Sequence, residues 1–129
     1  MYLFTYGTLM KGECRHEILE KARFVCYGKA IGKLYHYTKG NYPVYFRNGT
    51  DDVFGEVYEI PADMIEEYLS TLDQIEGTAY SLYAKREIPV YDTNADTQYT
   101  CIVYEGSNAF RPIMKDLKKM PTKTRWTGA

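Results

Sequence analysis

The chain has 129 residues, a formal charge of −1 and fourteen tyrosines. A neutral chain of this length is expected to form one domain that buries roughly two-thirds of its unfolded surface without a metal or disulfide staple, and its charge argues against a nucleic-acid partner. Cys14, Cys26 and Cys101 form no CxxC pair, and no stretch approaches the ~18 apolar residues of a membrane span, so a soluble, cytoplasmic protein with reduced thiols and no membrane partner is expected.

The first element is a short strand, Tyr2-Leu3-Phe4-Thr5-Tyr6, in which apolar residues alternate with period two. Gly7 then allows a sharp exit, and residues 14–22 read as a helix. A strand, a tight loop and a helix start in this order leave backbone N–H groups pointing one way, a ready holder for a carboxylate or phosphate. The competing reading is a plain turn at Gly7 with a local cap at Thr8. Residues 23–38 read as a long strand bent at Gly28 and Gly32, as in small curved sheets. Lys39 to Pro43 is turn chemistry, 44–47 a short strand, Asn48-Gly49 a hairpin turn and 53–60 the returning strand.

Pro61 opens a helix running to about Ile75, with Asp63, Glu66 and Glu67 in its early turns and Gly77 placed to end it. Residues 82–91 and 98–104 read as two further strands around a turn at 92–96. The stretch 111–129 is a basic extension expected to be partly mobile, with a short helix before Pro121. It carries six bases and one acid between 111 and 125, whereas 51–76 carries nine acids and no base. The sum is an α+β domain over 1–110: a small, mixed, mostly antiparallel sheet that curls toward a barrel, with two main flanking helices. Such a sheet offers a cavity at its mouth.

One acid of the nine stands apart. Ile65, Leu69, Leu72 and Glu76 are spaced i, i+4, i+7 and i+11, which puts Glu76 within roughly 20° of Ile65 on the apolar stripe. Glu66, Glu67 and Asp73 face elsewhere and read as solvated charges. Partial burial and the negative end of the helix dipole both disfavour the charged form of Glu76, raising its pKa toward that of a general acid and base near neutrality. The alternative is a frayed helix end with Glu76 in water or paired to Lys85 or Arg86. His16 and His36 are too few and too far apart for a metal site, and no phosphate-loop, dinucleotide or nucleophile-elbow motif occurs, so neither metal nor cofactor is expected.

Three ordered motifs carry a resemblance. Tyr6-Gly7-Thr8-Leu9 after the first strand, Gly55-Glu56-Val57-Tyr58 in a middle strand, and Leu72-Asp73-Gln74-Ile75-Glu76-Gly77 followed by Tyr83-Ala84-Lys85-Arg86 resemble the gamma-glutamyl cyclotransferase-like family. The likeness is closest to the branch that includes gamma-glutamylamine cyclotransferase, and it spans residues 2–105. It implies a small mixed barrel and an enzyme that cyclises a small-molecule gamma-glutamyl substrate to 5-oxoproline with release of the amine. The substrate's own α-amine would be the nucleophile. Glu76 would be the general acid/base, the backbone of Tyr6, Gly7, Thr8 and Leu9 would hold the glutamyl group, and Tyr42, Pro43, Tyr83 and Tyr104 would line the pocket. Met10 and Lys85 depart from the branch, which commonly has lysine and arginine there, so the leaving group stays open. Two other readings also stay open: a non-catalytic binding module for small carboxylates on the same fold, and a basic tail that docks on an acidic partner. A monomer and a homodimer are equally compatible with the sequence.

Overall fold

The computed structural model describes residues 1–7, 9–10, 16–37, 42–76, 83–107, 117–120 and 124–125; of Tyr42, Ile75, Glu76, Leu117, Lys118, Thr124 and Arg125 it describes the backbone alone. Strand β1 (Tyr2–Thr5) is followed by a 3₁₀ turn at His16–Leu19, β2 (Arg23–Tyr37) and β3 (Tyr42–Glu59). A 3₁₀ turn at Ala62–Met64 runs into helix α1 (Ile65–Glu76), after which come β4 (Tyr83–Asp92), β5 (Gln98–Gly106), β6 (Leu117–Lys119) and β7 (Thr124–Arg125).

The strand order is β6-β2-β4-β5-β1-β3-β7, and β2 also pairs with β3. That extra pairing closes β2, β4, β5, β1 and β3 into a five-stranded ring, so the ring has no open edge between its members. Within the ring every pairing is antiparallel except β1 with β5. The parallel pair brings the C-terminal ends of β1 and β5 side by side. Tyr83 opposite Gly106 brings the start of β4 to the same end.

Period-two alternation sorts the side chains into two cores. Phe4, Ala30, Val57, Val90 and Val103, one from each ring strand, belong to a single buried cluster that fills the barrel. Their neighbours Leu3, Tyr58 and Tyr104 face outward and join Tyr68 and Leu72 of α1 in the second. Tyr68 and Leu72 are four residues apart, one turn of helix, and they seal α1 to the barrel wall. Burying a side chain the size of Leu72 contributes about 1.5–3 kcal/mol, enough to fix a helix of this length that would be marginal alone.

The β2–β3 ladder corrects several expectations. Residues on both sides of Asn48-Gly49 pair with β2, so the pair makes no hairpin turn: 47–50 is an excursion within one strand, marked by the register jump from Gly32↔Asp51 to Lys33↔Phe46. The physical reason is close backbone contact. A Cβ on Gly49 would lie 2.6 Å from the Gly32 carbonyl, and one on Gly32 would lie 2.5 Å from the Phe46 carbonyl, so two glycines let the excursion fold onto β2. The second irregularity of β2 falls between Phe24 and Cys26, not at Gly28, where the ladder is regular. The helix expected over 14–22 is confined, among the described residues, to the 3₁₀ turn His16–Leu19, so the described residues hold one main helix and not two. Leu117–Lys119, expected to be helical, is a strand on Tyr35–Tyr37, with Lys119 Nζ donating to Asp51 Oδ2 at 2.5 Å; pairing with an available edge overrides local helix preference. Thr124–Arg125 pairs with Val53–Phe54.

Candidate active site

At the end where β1 and β5 stop, the first half of β3 bends back over the barrel and the predicted segments meet. The Met10 amide donates to the Gly7 carbonyl at 3.0 Å, closing a tight turn. Pro43 rests on that turn: a Cβ on Gly7 would sit 2.7 Å from Pro43 Cγ, so glycine alone fits. The Tyr83 hydroxyl donates to the Pro43 carbonyl at 3.4 Å. The Tyr6 ring points into the barrel, lies 5.6 Å from the Tyr45 ring, and its hydroxyl donates to the Tyr104 carbonyl at 2.5 Å. Tyr6, Gly7, Pro43, Tyr83 and Tyr104, drawn from four strands or strand ends, are thus one contiguous group.

The other expected site residues fall around it. Leu9 is buried in the outer core, and Met10, standing where the resembling branch commonly carries lysine, is fully buried. Tyr42 pairs with Tyr37 through its backbone, and its side chain lies outside the described residues, as does Thr8. Glu76 is the last residue of α1; its side chain also lies outside the described residues.

What holds the end of α1 in place is Asp73, one helical turn before Glu76. The Tyr104 hydroxyl donates to Asp73 Oδ1 at 2.6 Å, and Lys85 Nζ approaches the two carboxylate oxygens at 3.4 and 3.5 Å. Residues three apart on a helix are surface neighbours, so docking Asp73 on β4 and β5 also brings the Glu76 position to this end of the barrel. Asp73 is therefore an anchor, not the solvated charge its spacing suggested. The partners considered for Glu76 are engaged elsewhere: Lys85 with Asp73, Arg86 with Glu105 at 3.1 Å.

The underside of the turn holds residues that sequence reasoning passed over. His16 Nδ1 lies 2.9 Å from the Leu9 carbonyl, which calls for the Nδ1–H tautomer, and its ring is 5.8 Å from that of Tyr58. Tyr58 donates to Glu56 Oε1 at 2.8 Å, and Glu56 is fully buried. The Thr5 hydroxyl donates to the Glu56 carbonyl at 3.3 Å. The alternation in Gly55-Glu56-Val57-Tyr58 puts Glu56 and Tyr58 on one face, and the buried neighbours of that face were the available signal.

The two described thiols, Cys26 and Cys101, offer no nucleophile. Burial, reinforced by the charge of Asp92 and a hydrogen bond to it, pushes Cys26 up to about 11. Burial, with a smaller contribution from Cys26, pushes Cys101 up to about 12. Both stay protonated near neutrality. Among the described residues no group of three His, Cys, Asp or Glu side chains converges as metal ligands would, and no helix is long and apolar enough to cross a membrane.

A closed five-stranded barrel with one parallel pair, a glycine turn after β1 and a helix end docked beside it defines a cyclotransferase-type fold. Residues 3–127 match the family model described as gamma-glutamyl cyclotransferase, AIG2-like, and the chain belongs to that family. The match takes in the tail, which the motif resemblance left out. No curated protein sequence matches the chain significantly. Among solved structures, a mouse AIG2-like protein superimposes with a TM-score of 0.75 at 24% identity, over 95% of this chain and 87% of that one. A structure named gamma-glutamyl cyclotransferase gives 0.63 at 19% identity over 94% and 70% of the two chains. An uncharacterised protein from Pyrococcus horikoshii gives 0.61 at 20% identity over 97% and 86%. These likenesses establish the shared fold.

Proposed function

We propose that the protein is a gamma-glutamyl cyclotransferase that converts a gamma-glutamyl amine or amide to 5-oxoproline and the released amine. The observation that carries this reading is the convergence of the Gly7 turn, Pro43, Tyr83, Tyr104 and the end of α1 at one barrel mouth. In the reaction the substrate's α-nitrogen bonds to its own γ-carbonyl carbon and the bond from that carbon to the departing nitrogen breaks. Of the three α-ammonium protons, one remains on the lactam and two finish on the leaving amine. Glu76 is the carrier, first as base and then as acid, a two-way role that a carboxylate can fill. Backbone N–H groups of the segment from Tyr6 to Leu9 hold the glutamyl group and the charge that develops on its carbonyl oxygen. A nucleophile supplied by the substrate fits a chain whose described thiols are held protonated.

The test is release of 5-oxoproline from a panel of gamma-glutamyl amines, amino acids and dipeptides by wild type and Glu76→Gln. The expected result is a loss of about 10²–10⁴-fold in kcat for the variant, with its fold intact. Ligand binding with no turnover by folded wild type on the whole panel refutes the enzyme and leaves a carboxylate-binding module.

A further inference from the structure

A second polar group occupies the same barrel end and is not used by the chemistry above. Glu105 alternates with Tyr104 on β5, so it faces inward, and it is buried. Its Oε1 lies 3.1 Å from Nε of Arg47 and 3.1 Å from Nε of Arg86, while Oε2 accepts from the Arg47 amide at 3.1 Å. Two guanidinium groups on one carboxylate leave a net charge of +1. Both arginine side chains are about half exposed, 54% and 45%, so their outer edges meet solvent. Each guanidinium touches Glu105 through Nε, and among the described residues no hydrogen bond from an Nη group of either is found.

The cluster is continuous with the candidate active site. Pro43, Tyr45 and Arg47 alternate along β3: Pro43 rests on Gly7, Tyr45 packs against Tyr6, and Arg47 reaches Glu105. The strand covers about 13 Å between Pro43 and Arg47. The Tyr6 hydroxyl bonds the carbonyl of Tyr104, the residue next to Glu105. The Tyr45 hydroxyl also responds to the cluster, being pushed up to about 12 by burial and by Glu105, with Arg47 opposing.

Resting on the cyclotransferase reading, we propose that Arg47 and Arg86, held side by side by Glu105, form an anion subsite that binds a carboxylate carried on the far end of the leaving amine. Glu105 buries the inner edges of both guanidinium groups and fixes their orientation, leaving the outer Nη groups as a paired donor for the flat, two-oxygen geometry of a carboxylate. A simple alkylamine leaving group makes no such contact. The subsite therefore discriminates among substrates while taking no part in bond making.

The experiment compares matched pairs of gamma-glutamyl conjugates that differ only in the carboxylate: β-alanine against ethylamine, 4-aminobutyrate against propylamine, and 6-aminohexanoate against pentylamine. The expected result is a kcat/KM advantage of about tenfold or more for the carboxylate partner at the length that reaches the pair, the size of one charge-assisted hydrogen bond. Arg47→Gln and Arg86→Gln, made singly so that Glu105 keeps one partner, each remove most of that advantage through KM. Both leave kcat and the alkylamine substrates unchanged. An equal kcat/KM for both members of every pair in wild type, or an advantage that survives in both variants, overturns the proposal. Should wild type turn over none of the six conjugates, the cyclotransferase reading fails by itself. Calorimetric binding of the same pairs then decides the subsite, a carboxylate-dependent affinity lost in the arginine variants supporting it and equal affinities overturning it.

Discussion

Replacing Tyr104 with Phe tests whether the end of α1 is held by one hydroxyl. The ring is almost fully buried and keeps its packing in the variant, so the change isolates the 2.6 Å bond to Asp73 Oδ1. A hydrogen bond to a charged acceptor contributes about 1.5–3 kcal/mol. Asp73 retains Lys85 and is 38% exposed, so water replaces part of the lost bond and the low end, about 1.5 kcal/mol, applies. With ~2.1 cal/mol/K of unfolding entropy per residue over 129 residues, Tm should fall by about 5 °C. Activity should fall further than stability implies, because Asp73 anchors the turn that ends in Glu76; a drop of about tenfold in kcat is expected, with a smaller change in KM. The assay pairs thermal melting with 5-oxoproline release, run as a double-mutant cycle with Asp73→Asn. Lys85→Met serves as control, since a pair at 3.4 Å with both partners over a third exposed should be worth less than about 0.5 kcal/mol. A Tyr104→Phe variant that melts within about 1 °C of wild type and keeps its kcat, or a cycle without coupling, would refute the account of how the helix end is docked.

Gly7→Ala should lower Tm and raise KM, because the added carbon meets Pro43 Cγ at 2.7 Å and overpacking of this kind costs about 1–3 kcal/mol; unchanged melting and kinetics would show that Pro43 yields freely. Stability should also decline in alkali. The buried Cys101 thiol titrates at about 12 against an ordinary 9.0, so its contribution is complete below pH 9 and is lost as pH rises toward 12, amounting to about 2–3 kcal/mol by pH 11. Urea unfolding at pH 8 and 11 checks this: Cys101→Ala should show a decline smaller by that amount, and parallel declines would exclude the thiol as the cause.

Much of the fold was legible because period-two alternation and turn chemistry are local signals. β1, β4 and β5 fall close to where the pattern put them, and the Asp92 turn is sealed by the Asn94 amide on Asp92 Oδ1, as a short Asx side chain allows. Asn48-Gly49 misled for an instructive reason. The dipeptide favours a hairpin, but Gly32 on the neighbouring strand offered a surface flat enough for the segment to lie against, and β2 is long enough to pair with both flanks. That partner is a property of the whole sheet, invisible in a window around residue 48. The same limit applied to Asp73, whose position on the helix wheel suggests a solvated charge but whose partners, Tyr104 and Lys85, lie on strands that follow it in the chain. The Glu105 cluster was illegible for a third reason: alternation gives the direction of one side chain, and the meeting of Arg47, Arg86 and Glu105 requires three strands in register.

The topology also explains why a site should form at this end of the barrel and not at the other. Only one ring pairing is parallel, and it makes β1 and β5 finish together, each with a glycine at or just past its end. Gly106, like Gly7, has no room for a side chain, since a Cβ there would lie 2.6 Å from Val44 and from the Phe46 ring. Two strand ends without side chains let the first half of β3 come down over the mouth, which brings Pro43 to Gly7, Tyr45 to Tyr6 and Arg47 to Glu105 in successive steps of one face. The part of β3 that rests on the Gly7 turn and the part that reaches Glu105 are then two stretches of a single strand, fixed by the same closure. A change that lifts β3 from the mouth should disturb both together, whereas the arginine variants should disturb only the second. That asymmetry separates loss of the site's frame from loss of its selectivity.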